Sequence, residues 1–289
     1  MKLPITEIRT RFRFAVLLIF FGIVISTGAF SQVKYEIYAL KFGERTNKIP
    51  LADAAVGATG TDSLNVCFMY WLLKGNNGRN ILVDAGFTGD ADINPKFISF
   101  SPPDKMLEKI NMKPDEITDI IITHPHWDHI GGIDLYPDAM VWMQKDDYNY
   151  FVTDAWQHDG NSKGFNKKDV VKIVQRNLDE KLTLIKGDDI EILPGIKVFI
   201  GGKHTFESQF VLVGSGADKV ILASDNSWFY YNIEHLLPIP VTHDAKAYVK
   251  NLARMKSMVS NMDYIIPGHD PLVFTKFSPV AEGVVQIKR

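Results

Sequence analysis

Cysteine is almost missing from this 289-residue sequence: Cys67 stands alone, so no intrachain disulfide can form in any compartment. It lies in an apolar run over residues 66–73 and reads as a buried, inert thiol. Charge of one sign is also lacking. The 32 basic and 34 acidic residues leave a formal net charge of -2, and the body of the chain carries no basic tract, which argues against nucleic acid as a partner. Nor is apolar content short: 46% hydrophobic and 23% charged residues exclude a disordered chain and provide for one large core in a single domain.

A long, unambiguous membrane span is absent too. The apolar run over 14–25 is marginal for crossing a bilayer. It follows Lys2, Arg9, Arg11 and Arg13 and precedes Ala29-Phe30-Ser31, small residues at the positions a signal peptidase reads. Residues 1–31 are therefore expected to be a secretory signal cleaved before Gln32, with a retained membrane anchor as the alternative. Residues 32–289 then form the domain, exported to the periplasm or secreted. The segment carries four basic and one acidic side chain, so its removal takes the formal net charge from -2 to -5.

What is present is concentrated at residues 120–135. The β-branched run 120–123 has the composition of a buried strand, stopped by Pro125 and the Gly131-Gly132 pair. Side chains two apart on an extended segment point the same way, so His124 and His126 can reach one ion together. Asp128 and His129 follow where the chain turns and can face a second ion beside the first. Nitrogen and carboxylate donors at this spacing suit zinc. Packing or capping gives no reason for three histidines and an aspartate within six positions.

This stretch resembles the H-x-H-x-D-H motif of the metallo-β-lactamase superfamily at every fixed position, with the following Gly-Gly also in place. The resemblance implies an α/β fold, a four-layer αβ/βα sandwich, and a mononuclear or dinuclear metal site. It also implies roles elsewhere. Asp84-Ala85-Gly86 is similar to the family's V-D-x-G element, whose aspartate supports a ligating histidine from behind. Gly202-Lys203-His204-Thr205 resembles the turn bearing a further metal histidine, although Lys203 replaces a glycine, Phe206-Glu207 replaces Pro-Gly and Ser208 stands where a second histidine is common. Asp225, at a strand end, resembles the bridging carboxylate, and Gly268-His269-Asp270 resembles the terminal metal histidine. His124, His126 and His204 would hold one ion, and Asp128, His129 and His269 the other, with Asp225 joining them.

The remaining elements follow from pattern. Strands are expected over 33–42, 140–143, 182–185, 189–193, 196–200, 208–213, 219–223 and 264–266, and a hairpin joins 65–73 to 80–83. Helices are expected from 101 to a stop at Lys113-Pro114, and over 146–151, 168–178 and 244–258, the last burying Tyr248, Leu252 and Met255. Residues 43–63 read as a long loop, bordering the substrate cleft or simply crossing the surface. Residues 154–165 read as a loop at the cleft rim, with His158 a surface residue.

Open positions beside the ligands mean catalysis. Two zinc ions, with iron, manganese or cobalt as alternatives, would leave room for a bridging water whose pKa falls from about 15.7 to about 7, giving a hydroxide nucleophile. Asp128 would accept or relay its proton. Within the superfamily, chain length, order of elements and the Gly-His-Asp ending most resemble the N-acyl-homoserine lactonases. That implies a small-molecule ester substrate, a lactone such as an acyl-homoserine lactone. Those enzymes carry a tyrosine where this chain has Trp228, and Tyr230 and Tyr231 are near enough in sequence to offer a phenol. Trp228, Tyr230 and Tyr231 are accordingly candidate substrate-pocket residues. Hydrolysis of β-lactams, thioesters or phosphotriesters, and iron-dependent oxidoreduction on the same scaffold, are the alternatives; oligomeric state is not legible.

Overall fold

Strand β4 (Cys67–Gly75) shows why the domain is layered as it is. Its first seven residues are all buried, as in a strand covered on both faces. Phe68, Tyr70 and Leu72 enter one core cluster, and Cys67, Met69, Trp71 and Leu73 enter another. The two-residue period of the strand thus sends alternate side chains into two different layers.

A computed structural model describes residues 33–89, 96–214 and 219–288; the expected signal segment lies outside them. In chain order the strands are β1 (Tyr35–Arg45), β2 (Ile49–Pro50), β3 (Ser63–Leu64), β4, β5 (Asn80–Val83), β6 (Phe97–Phe100), β7 (Asp119–Ile121) and β8 (Met140–Gln144). There follow β9 (Leu182–Ile185), β10 (Ile190–Leu193), β11 (Ile196–Ile200), β12 (Gln209–Val213), β13 (Val220–Ser224), β14 (Ile265–Pro267), β15 (Ser278–Ala281) and β16 (Val284–Lys288). One sheet has the order β15-β16-β1-β4-β5-β7-β8-β9, with β6 also paired to β1, and the other runs β10-β11-β12-β13-β14. Strands β2 and β3 form a separate short ribbon.

The helices are α1 (Leu51–Ala54), α2 (Pro103–Glu108), α3 (Trp127–Ile130), α4 (Lys145–Val152), α5 (Lys167–Leu178), α6 (Tyr230–His235), α7 (Ala245–Met258) and α8 (Val273–Lys276). Met106 and Leu107 of α2, Tyr148 and Phe151 of α4 and Ile173 of α5 pack on the outer face of the first sheet. Tyr248, Leu252 and Met255 of α7 cover the outer face of the second. Between the sheets lie Ile37, Met69, Trp71 and Ile121 from one side and Val198, Val211 and Leu222 from the other. This is the expected αβ/βα sandwich.

Several local expectations change. The presumed loop over 43–63 is broken by the continuation of β1 to Arg45, by β2 and α1, and by the start of β3. Helix α2 stops at Glu108, and the chain reverses at Asn111, whose φ is +54°. Strands β6, β15 and β16 and helix α6 were not read in advance. Strand β16 pairs antiparallel with β1, extending the first sheet beyond the point where the motifs end.

Just past the 120–135 stretch, the polypeptide is held by a buried cation. Arg176 of α5 donates from Nη1 to the carbonyls of Pro137 (2.7 Å) and Ala139 (3.3 Å), and from Nη2 to those of Ile133 (2.7 Å) and Tyr136 (2.8 Å). Replacing Arg176 by leucine keeps an apolar stem but strands these acceptors. The expected loss is about 2–4 kcal/mol, seen as a lower urea midpoint at an unchanged slope; an unaltered midpoint would show that water replaces the guanidinium at no cost.

Candidate metal centre

Most ligand turns emerge at carboxyl ends of parallel strands. Strands β5 and β7 are parallel neighbours in one sheet and β13 and β14 in the other. Asp84 follows β5, His124 follows β7, Asp225 follows β13 and His269 follows β14. Such edges gather polar turns that neither sheet needs for its core. His204 enters from the turn between β11 and β12.

All seven expected ligands come together. His124, His126, His204 and Asp225 form one group and Asp128, His129 and His269 another, the donor atoms within each group lying within 4.8 Å of one another. His126 Nδ1 is 3.1 Å from His124 Nε2 and 2.9 Å from His204 Nε2. Asp225 faces both groups: Oδ2 is 3.1 Å from His204 Nε2, while Oδ1 is 3.0 Å from His269 Nε2 and 3.3 Å from His129 Nε2. Asp128 Oδ2 lies 3.4 Å from His129 Nε2.

The outward ring nitrogens of four histidines are already committed. Nδ1 of His124 meets Thr123 Oγ1 (3.0 Å), that of His129 meets Asp84 Oδ2 (2.8 Å), that of His204 the Val241 carbonyl (2.7 Å) and that of His269 the Cys67 carbonyl (2.9 Å). Each contact fixes the ring with Nε2 pointing inward, the outer hydrogen bond that orients metal-ligating imidazoles. His129 Nε2 and Asp225 Oδ1 are buried without hydrogen-bond partners. Orphaned buried polar atoms of this kind, among nitrogen and carboxylate donors, fit a divalent cation.

The electrostatics differ between the groups. Burial, reinforced by neighbouring imidazoles, drives His124 well below the ordinary histidine range and His126 down to about 3, so both keep free lone pairs at neutral pH. Burial alone would also lower His129 and His269, but the carboxylates outweigh it and raise both: Asp128, Asp225 and Asp84 act on His129, and Asp225 and Asp128 on His269. Burial pushes the carboxyls up. Against it, His129 and His269 hold Asp128 below the ordinary carboxylate value, and His269, His129 and His204 hold Asp225 well below it.

A cavity of about 480 Å³ opens over both groups, lined by His126, Asp128, His204, Asp225 and His269 together with Val66, Phe68, Trp127, Trp228, Phe229 and Val241. Trp228 lines it as expected, and its indole N–H donates to Asp225 Oδ2 at 2.7 Å. Tyr230 and Tyr231 do not line it. Helix α6 starts at Tyr230 and carries these rings away: Tyr230 packs into the inter-sheet core, and Tyr231 lies tilted against His235 with ring centroids 4.1 Å apart. No phenol from either reaches the centre. Residues 154–165 do form a rim: Gly164 accepts from the Trp127 N–H (3.0 Å), and the Phe165 ring lies 5.4 Å from that of His126. His158 is an exposed surface residue.

Two supports were not foreseen. Asp147, buried on α4, accepts from Thr205 Oγ1 (2.7 Å) and from the Glu207 N–H (3.1 Å), clamping the turn that carries His204. Phe206, in the same turn, stacks on Tyr150 at 4.8 Å. Lys203 sits at φ +60°, where a glycine would be unstrained, and its Nζ bonds the Phe206 carbonyl (2.9 Å) and Glu207 (2.7 Å). An acid at the start of an amphipathic helix gives no linear hint of such a task.

Residues 65–269 match the family described as the Metallo-beta-lactamase superfamily. The chain belongs to that superfamily and is a metal-dependent hydrolase. Its relatives include an N-acyl homoserine lactonase of Bacillus cereus, 26% identical over 223 residues that cover 72% of this chain and 82% of that protein. Among solved structures, a quorum-quenching N-acyl homoserine lactone hydrolase superposes with a TM-score of 0.67 at 23% identity, covering 86% of this chain and 97% of that one. AidC, a dizinc quorum-quenching lactonase, superposes at 0.65 and 16% identity over 90% and 96% of the two chains.

Burial raises the Asp147 carboxyl to about 6, against an ordinary value of 3.8. A carboxyl raised on folding binds its proton more tightly in the native state, so the stability it contributes is full below about 3.8 and is lost as pH rises through about 6. Asparagine can accept from the Glu207 N–H and donate to Thr205. Asp147→Asn should therefore be at least as stable as wild type at pH 8, the difference narrowing as pH falls from about 6 towards 4 in parallel urea titrations. Asp147→Ala should lose about 1–3 kcal/mol throughout. At Gly164, where φ is +83°, a Cβ would stand 2.7 Å from His126 Cδ2. Gly164→Ala should lower stability by about 1–3 kcal/mol by thermal unfolding; full stability would mean that the rim moves freely.

Proposed function

We propose that this protein is an exported dinuclear zinc hydrolase of esters, with lactones such as acyl-homoserine lactones as its preferred substrates. The observation that carries the dinuclear reading is the Asp225 carboxylate, whose two oxygens face the two donor groups separately. His124, His126 and His204 would hold one ion, Asp128, His129 and His269 the other, and Asp225 both. Bound there, the ions supply Lewis acidity and lower the pKa of water to near neutrality.

The chain's own groups do the rest. Asp128, kept ionised beside His129 and His269, accepts the proton of the attacking water and returns it to the leaving oxygen. Val66, Phe68 and Phe229 give the cavity apolar walls, which suit an acyl chain and strengthen the electrostatics beneath it. Lactone preference is supported by the relatives named N-acyl homoserine lactonase. Export is supported by the basic and then apolar segment ahead of Gln32.

Elemental analysis of the purified protein should approach two zinc ions per chain. Asp225→Ala should lower that number and reduce kcat/KM by more than about a hundredfold, beyond the usual cost of removing an outer partner. One tightly held iron would refute the dinuclear reading. In a panel of acyl lactones, aryl esters, a chromogenic β-lactam and a phosphotriester, lactones should be cleaved with the highest kcat/KM. A preference for another class would remove the lactonase reading and leave the hydrolase.

A further inference from the structure

Two cationic side chains line the cavity without a task in the scheme above. Arg45 ends β1, and Lys163 precedes Gly164 in the rim; both line the same space as the metal groups. Both are exposed, and neither has an acidic partner among the described residues. Nearby lysines differ: Lys41 of the same strand pairs with Glu44, and Lys203 pairs with Glu207. The acids lining the cavity are Asp128 and Asp225, both engaged with the histidines of the centre.

Their backbones are fixed on different walls. Arg45 donates its N–H to the Val66 carbonyl at 2.9 Å, and the Phe68 ring two residues on lies 5.3 Å from His269. Lys163 adjoins Gly164, which is hydrogen-bonded to Trp127 and packed against His126. One cation therefore stands on the side of each donor group. A neutral acyl chain gains nothing from either charge, whereas an anion between apolar walls would be attracted by both.

We propose that the substrate this site selects carries, besides its scissile ester or lactone, a second and unreacting carboxylate that Arg45 and Lys163 receive. The proposal rests on the hydrolase reading and narrows its substrate class. The opposing view is that both side chains merely lay their stems along the apolar wall with their heads in water.

The test compares an aryl hexanoate with the matching aryl hemiadipate, equal in chain length and differing in the terminal charge, on the metal-loaded enzyme. At low ionic strength the hemiadipate should have at least about tenfold higher kcat/KM, and the advantage should shrink as sodium chloride screens it. In Arg45→Gln/Lys163→Gln the ratio of the two values should fall to near one. An equal or better neutral ester, or a double variant that keeps the ratio, overturns the proposal. Calorimetric binding of adipate against hexanoate gives a readout that needs no turnover. If neither ester is cleaved, the hydrolase reading fails, and the charge proposal is still judged by whether adipate binds at least about tenfold tighter and loses that margin in the double variant.

Discussion

The Asp84 carboxylate ties the two sheets together at the edge where the ligand turns emerge. It accepts from the Thr123 N–H (2.8 Å) and hydroxyl (2.9 Å), from the Ser224 hydroxyl (2.9 Å) and from His129 Nδ1 (2.8 Å). Thr123 adjoins β7 in the first sheet, and Ser224 closes β13 in the second. A buried charge is tolerable only where donors surround it, and here the donors are the turns that must be aligned. Asp84 and Ser224 both take left-handed backbones, at φ +62° and +48°. Strain of that kind persists where the surroundings over-determine the geometry, as they do beside a reactive centre.

The two donor groups are unlike, and the difference is physical. In one, burial pushes His124 and His126 down; in the other, burial would do the same, but Asp128 and Asp225 outweigh it and raise His129 and His269. Asp225 belongs to both, and its Oδ2 also receives the Trp228 indole N–H. Where the resemblance to the N-acyl-homoserine lactonases implies a tyrosine, this chain has Trp228, whose N–H is already engaged with the shared carboxylate.

Much of the site was legible because its first four members crowd into six positions, a density with no structural excuse. His204, Asp225 and His269 are scattered singly, and only their likeness to motifs marked them in advance; the structure then brought them together. Tyr230 and Tyr231 misled because proximity in sequence to Trp228 ignores the start of α6, which turns them from the cavity. Asp147 was invisible because its partners, Thr205 and Glu207, lie almost sixty residues away. Most strands and the longer helices followed from periodicity. The two-residue β2 and β3 carry too little pattern to be read, and β15 contains Pro279, which disguises an edge strand.

Strand β1 lies between β4 and β16, so the first described strand of the chain has the last as a neighbour. Leu40 is paired with Val284, a separation that spans nearly the whole domain. Contacts so distant in sequence close large loops and slow folding. During synthesis the first sheet cannot complete itself until β16 has left the ribosome. Until then one flank of β1 is open to pairing with other chains, a period in which a chaperone would be of most use.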